Sequence, residues 1–290
     1  MKNYQEEFYP AALTIAGSDS GGGAGIQADL RTFNAAGIYG CSVITAVTAQ
    51  NPRKVAGFSA VEPELVKKQL ESVFEAIAVK AVKTGMLANA KIVETVAEFL
   101  KNHKLPLIVD PVMISTSGSA LLDKEGCEAM KKVLLPMASL ITPNIPEAEY
   151  LVNAKLKNEK DYADAAMQLA NQYKCNILLK TGHGAASGKI SDVAVLERKV
   201  YLLTSPRVSD LEEYSTHGTG CTLSSGITAM LAAGNSWKDA LIAAKAHVLG
   251  ALNEMAHIGK SLDAMYPPLE DYSRQVTLRI MQKTEGNNAR

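Results

Sequence analysis

The sequence predicts an α/β protein: a mostly parallel central sheet of about eight strands, with helices on both faces. Three observations predict it. Short apolar runs rich in Val, Ile and Leu alternate with helical periodicity along most of the 290 residues, the pattern of strand–helix–strand units. Glycine and polar residues punctuate the ends of those runs. No composition shift marks a linker and no internal repeat occurs, so a single domain over residues 1–290 is expected, with 284–290 a frayed tail.

The elements follow in order. Residues 11–16 read as a buried strand and 17–25 as a glycine-rich loop. A helix follows, carrying Ile26, Leu30 and Phe33 on one face and stopping at Gly37. Residues 41–49, rich in Val, Ile and Thr, form the second strand. Helices are expected at 63–77, 89–102, 123–134 and 160–173. The strands after them, at 79–83, 105–109, 139–142 and 176–179, end near Gly85, Asp110, Asn144 with Glu147, and Lys180 with Thr181. A hairpin is expected over 190–196 and 199–204, and a last strong helix over 236–257. In parallel sheets ligands bind at the carboxyl ends of strands, where this polar punctuation falls.

Composition excludes several classes. Hydrophobic residues make up 47% and charged residues 21%, enough for a large core. Thirty basic residues balance thirty acidic ones without a block of like charge, so no nucleic-acid or anionic-membrane partner is expected. No apolar run reaches the length of a membrane span, and the first residues lack a signal-peptide core. Cys41, Cys127, Cys175 and Cys221 are widely separated, which argues against zinc and disulfides and for a reducing cytoplasm.

The most informative stretch is His217-Gly218-Thr219-Gly220. A glycine turn opens there directly into a helix with Leu223, Ile227, Met230 and Leu231 on one stripe and Gly234 as its stop. The first N–H groups of a helix lack intrahelical partners, and glycines admit an anion to them, so an oxyanion or phosphate cradle is expected. Cys221 lies in the first turn, where a thiol is expected to be acidified; the alternative is a small buried hydrophobe.

Other residues carry paired readings. Gly23, Gly25 and Ala28 match a dinucleotide fingerprint, but no acid follows about twenty residues on, so a nicotinamide or flavin cofactor is not expected. A Walker A loop is absent. Asp29 borders the inward face of its helix and needs a partner if buried. Gln50 ends the second strand and offers both a donor and an acceptor, or is a loop glutamine. Asp110 and Glu147 at neighbouring strand ends suit Mg²⁺ through waters, or are turn and helix-start acids. Lys180 suits a phosphate, or is solvated. Met86 and Met113 suit an apolar ring, or fill the core.

Several longer motifs run in a recognisable order: residues 12–29, residues 43–51, Lys83-Thr84-Gly85-Met86, Val109-Asp110-Pro111-Val112-Met113, residues 141–148 and residues 216–224. On these the sequence resembles the hydroxymethylpyrimidine and phosphomethylpyrimidine kinases of thiamine biosynthesis, within the ribokinase-like superfamily, over about residues 11–257. The resemblance implies a three-layer α-β-α fold, ATP and Mg²⁺, a homodimer, and phosphorylation of 4-amino-5-hydroxymethyl-2-methylpyrimidine and of its monophosphate. It implies substrate contacts from Gln50, Asp29, Gly17 and Met86, ATP contacts from Lys180, Thr181 and Asn144, and metal contacts from Asp110 and Glu147. It places the anion hole at Gly218, Thr219 and Gly220. Cys221 stands where most relatives in the superfamily carry an aspartate base, and a supporting base role is expected. The alternative is a pyridoxal or pyridoxine kinase of the same branch. Those enzymes carry a cysteine in the flap after the Asp-Pro-Val-Met segment, and Ile114 to Gly118 here contain none. A non-catalytic vitamin-binding protein on the same scaffold is disfavoured by the intact glycine turn, Asp110 and Glu147.

Overall fold

The structure, a computed structural model, describes residues 9–113, 121–182, 188–209, 211, 216–260 and 262–281. The flap segment 114–118 and the tail 284–290 lie outside them. The chain runs β1 (Ala11–Ser18), α1 (Gly25–Ala35), β2 (Tyr39–Asn51), β3 (Lys54–Ala60), α2 (Pro63–Ala76), β4 (Val79–Thr84), α3 (Ala90–Leu100), β5 (Leu107–Val109) and α4 (Lys124–Ala129). It continues β6 (Leu140–Ile141), α5 (Ile145–Val152), α6 (Glu159–Tyr173), β7 (Asn176–Leu179), β8 (Lys189–Leu196) and β9 (Lys199–Pro206). It ends α7 (Thr219–Ala232), α8 (Trp237–Asn253), β10 (Ala256–Gly259), β11 (Leu262–Ala264) and β12 (Thr277–Ile280).

The main sheet has ten strands, ordered β12-β9-β8-β7-β6-β5-β4-β1-β2-β3, against about eight expected. The six from β7 to β2 are parallel; β3 at one edge and β8, β9 and β12 at the other are antiparallel. The sequence analysis misses β3 and β12. Both are exposed along most of their length, so they carry no buried alternation and are held by backbone pairing to β2 and β9. The helix expected over 123–134 is shorter: α4 passes into one π-helical turn and a 3₁₀ turn, Leu135–Met137, where Pro136 ends the N–H ladder.

Alternate residues of each strand feed opposite layers. Leu13 and Ile15 pack towards α2 and α3, whereas Ala12 and Ala81 meet Phe33 of α1 and Ala229 of α7. Farther along, Ile108 and Leu140 meet Leu223 and Ile227 of α7 and Leu241 of α8. Each fully buried Leu or Ile contributes about 1.5–3 kcal/mol. Helix α7 is buried from Thr222 to Ala229. It packs so closely on α8 that a Cβ on Gly226 would lie 3.0 Å from the Ala244 side chain. Its buried Ser224, Ser225 and Thr228 hydroxyls bond back to carbonyls one turn earlier. Among the described residues no helix is long and apolar enough to cross a membrane.

The strand order reverses between β1 and β4: the chain proceeds from β1 to β2 on one side, then returns to β4 and continues outward on the other. Loops leaving neighbouring strands diverge at such a reversal and open a crevice at the carboxyl ends. The start of α7 and the glycine loop after β1 both face this place.

Candidate active site

Two helix N-termini meet at the crevice. Helix α1 begins after Ala24 and α7 after Gly218; neither has a side-chain cap or an acidic residue in its first turn. The contact is backbone on backbone. Gly218 has φ +86°, and a Cβ there would sit 1.9 Å from the Gly23 carbonyl oxygen. Gly25, at φ +56°, approaches so closely that a Cβ would lie 2.4 Å from the Gly17 carbonyl oxygen. Only glycine fits either position. The Thr219 N–H is spent on the Thr216 carbonyl at 3.2 Å. Among the described residues those of Gly218, Gly220 and Cys221 have no partner, so they remain for an anion. Of the expected Gly218–Thr219–Gly220 triplet, Thr219 thus has its N–H occupied within the turn.

Charged side chains line the floor below. Lys180 at the end of β7 donates to Asp110 at 2.7 Å, and Asp110 also accepts from Thr142 at 3.1 Å. A Cβ on Gly220 would lie 3.3 Å from Lys180 Nζ and 3.6 Å from Asp110 Oδ2, so this pair sits directly against the cradle. Burial opposes the charge on Lys180, but Asp110 and Glu147 outweigh it and raise its pKa. Asn144 and Glu147 form a capping box on α5: the Asn144 side chain accepts from the Glu147 N–H at 2.9 Å, and Glu147 accepts from the Asn144 N–H at 2.8 Å. Burial, with Asp110 adding to it against the pull of Lys180, pushes the Glu147 carboxyl up to about 7. Both residues thus cap the helix, and Glu147 still keeps a carboxyl group within electrostatic reach of Asp110. Thr181 donates its N–H to Asp192 at 2.9 Å and its hydroxyl to the Ser191 carbonyl at 3.0 Å. Asp192 is held in turn by Lys245 of α8 at 2.6 Å.

At the other end of the crevice Gly17 and Met86 touch: a Cβ on Gly17 would lie 3.1 Å from the Met86 sulfur. Gln50 is pinned by Ser20, whose hydroxyl donates to the Gln50 carbonyl and accepts from its N–H, both at 2.8 Å. Its side-chain amide reaches His217, which also meets Asp19. Met113 is buried in the core below, as its filler reading has it.

Asp29 differs from the expectation. It is fully buried, and both its oxygens accept from Lys83 Nζ, at 2.9 and 2.7 Å, while Thr14 donates to it at 2.6 Å. A desolvated carboxylate must spend its lone pairs on a cation and a donor, as Asp29 does here. Sequence reasoning missed Asp192 and Lys245, and gave no role to Asp19, Lys83 and His217, which lie in its motifs. Lys83 did carry a signal: strand alternation sets it on the face of Ala81, which points at α1 and α7.

Cys221 also departs from its expectation. The helix start was expected to acidify the thiol. Burial instead pushes it up to about 11, with Asp29 and Asp110 adding to the rise, against a pull from Lys83 and the Gly25 N–H. The positive helix end is outweighed because the thiol is desolvated among carboxylates.

Fold and site together define a class: an α/β protein with a glycine-bounded, uncapped helix N-terminus at the reversal point of its sheet. Residues 19–265 match the phosphomethylpyrimidine kinase family, and the chain belongs to that family of phosphotransferases. The hydroxymethylpyrimidine/phosphomethylpyrimidine kinase of Streptomyces coelicolor is 46% identical over 243 residues, 84% of this chain and 88% of that protein. The thiamine biosynthesis bifunctional protein ThiED of Geobacter sulfurreducens is 42% identical over 251 residues, 86% of this chain and 50% of that protein, so this chain spans half its length. Among solved structures, pyridoxal kinase from Staphylococcus aureus in complex with AMP-PCP superposes with a TM-score of 0.83 at 31% identity, covering 94% of this chain and 100% of that one; its complex with ADP superposes equally well.

Proposed function

We propose that the protein transfers the terminal phosphoryl group of ATP to the hydroxymethyl oxygen of 4-amino-5-hydroxymethyl-2-methylpyrimidine, and then phosphorylates the monophosphate, in thiamine diphosphate biosynthesis. The observation that carries this is the set of N–H groups at Gly218, Gly220 and Cys221, without a partner among the described residues, with Lys180 directly beneath. Phosphoryl transfer depends mainly on positioning and on charge stabilisation of the transferring oxygens. The pocket of Gly17, Met86 and Gln50 at the far end of the same crevice suits a small polar ring. Identity of 46% to a pyrimidine kinase against 31% to a pyridoxal kinase favours the pyrimidine.

The substrate hydroxyl attacks the γ-phosphorus, the bond to the bridging oxygen breaks and ADP leaves, while the hydroxyl proton passes to an oxygen of the transferred phosphoryl group and from there to water. The cradle N–H groups receive the charge on the equatorial oxygens, while Lys180 faces them as a point charge. Thr181 follows it in sequence and Asn144 bridges to it from the neighbouring strand end; these two would face the nucleotide. Asp110 and Glu147 fit a magnesium ion: they follow neighbouring strands β5 and β6 at their carboxyl ends, and Mg²⁺ needs only one or two carboxylates with water and phosphate. Bound there, Mg²⁺ would neutralise phosphate charge. With its thiol held neutral, Cys221 contributes its backbone N–H. Cys221→Ala keeps that N–H and is expected to retain turnover within about tenfold at pH 7.5; a loss beyond a thousandfold would restore a base role for the thiol.

The test is coupled ADP release with Mg-ATP and, separately, the hydroxymethylpyrimidine, its monophosphate, pyridoxine and pyridoxal. Turnover of both pyrimidines above the vitamin B6 forms is expected. A clear preference for pyridoxal would move the assignment to the other activity of this fold. A homodimer is the expected assembly, and sedimentation would read it.

A further inference from the structure

The cluster of Asp19, His217 and Gln50 joins the glycine loop after β1, the turn before α7 and the end of β2. His217 Nε2 lies 3.0 Å from Asp19 Oδ2 and 3.2 Å from the Gln50 amide nitrogen. The Asp19 carboxylate is buried and accepts the Gly21 and Ala24 N–H groups, each at 2.8 Å. Burial alone would raise its pKa, but hydrogen bonds from His217, Ala24 and Gly21 outweigh this and leave it lowered. An ionised carboxylate accepts only, so His217 Nε2 must bring the proton.

That proton has a consequence for Gln50. A protonated Nε2 faces a second donor if the amide presents its NH₂ group to it. An amide keeps its shape when its oxygen and nitrogen exchange places, so the partners decide its orientation. With Oε1 turned to His217, both contacts of the imidazole N–H become favourable, and the NH₂ group swings to the opposite side. The backbone of Gln50 cannot slide to avoid the choice, because Ser20 holds it at both its carbonyl and its N–H. The ring is fixed too: a Cβ on Gly23 would lie 2.7 Å from His217 Cδ2. Among the described residues the remaining amide atom of Gln50 has no partner.

We infer that Asp19, acting through His217, fixes the Gln50 amide with its NH₂ group towards the substrate pocket, so that the ring atom it meets must be a hydrogen-bond acceptor. This rests on the proposed pyrimidine reading and sharpens it: Gln50 selects an unprotonated ring nitrogen, not an exocyclic amino group. Asp19 and His217 are positioning residues; Gln50 determines specificity.

Two measurements test it. The first is the ¹⁵N-edited spectrum of His217 in the substrate-free protein at pH 8, assigned with His217→Gln. Nε2 is expected to carry a proton; a bare Nε2 overturns the inference. The second compares Michaelis constants for the hydroxymethylpyrimidine in Gln50→Met, which removes the amide, and Gln50→Glu, which replaces the donor by an acceptor. A donor-facing amide predicts a KM for Gln50→Glu about tenfold or more above that of Gln50→Met, since lone pairs then oppose lone pairs. A KM at or below that of Gln50→Met overturns it. Absence of pyrimidine turnover in the unaltered enzyme would count against the proposed function instead, and leaves the tautomer measurement intact.

Discussion

Lys83→Met is expected to lower the free energy of unfolding by about 3–5 kcal/mol, the cost of leaving a buried charge without its partner. Lys83 and Asp29 are both fully buried, 54 residues apart in sequence, and held at 2.7 Å. Removing the ammonium leaves a desolvated carboxylate with Thr14 as its one remaining donor. The pair need not be stabilising relative to apolar residues of like volume. The double variant Lys83→Met with Asp29→Leu is therefore expected to recover most of the loss. Urea unfolding of the two proteins reads both effects. A single variant within about 1 kcal/mol of the parent would mean that water or another cation reaches Asp29.

Gly218→Ala carries the second large effect. Its Cβ would fall 1.9 Å from the Gly23 carbonyl oxygen, so the two helix starts must separate. Moving a single oxyanion-hole donor costs about a hundredfold to a thousandfold in turnover, and this change displaces several donors together. A fall in kcat/KM of at least about a hundredfold is expected, with some loss of stability. Gly234→Ala is the control. It has φ +83°, nearly the same as Gly218, yet nothing lies within 4 Å of a Cβ there. It should cost only the backbone strain, about 1–2 kcal/mol, and leave activity unchanged. Similar activity loss in both variants would trace the effect to strain rather than to the cradle.

Much of this molecule is written in local pattern. The parallel strands β1, β5, β6 and β7 are short, largely apolar runs because helices cover both their faces. The glycine turn before α7 was legible because no other residue type serves an uncapped, closely approached helix start. The polar residues at strand ends were legible as a group, since a core strand has no other use for them.

What the sequence could not show is pairing at a distance. A lysine in a strand reads as solvated until the fold sets an aspartate against it, as with Lys83 and Asp29. The acidified thiol expected of Cys221 is overturned by burial, with carboxylates from α1 and the end of β5 adding to it. Edge strands β3 and β12 escape notice because exposed residues have no reason to alternate. The amide of Gln50 has no orientation in the sequence; His217, 167 residues away, supplies it. By itself the sequence determined the layers and the place of the glycine turn, because these follow from period and from glycine. The tertiary structure decided which charges are spent and which remain for a substrate, because burial and partner distance set that, and both exist only in the folded chain.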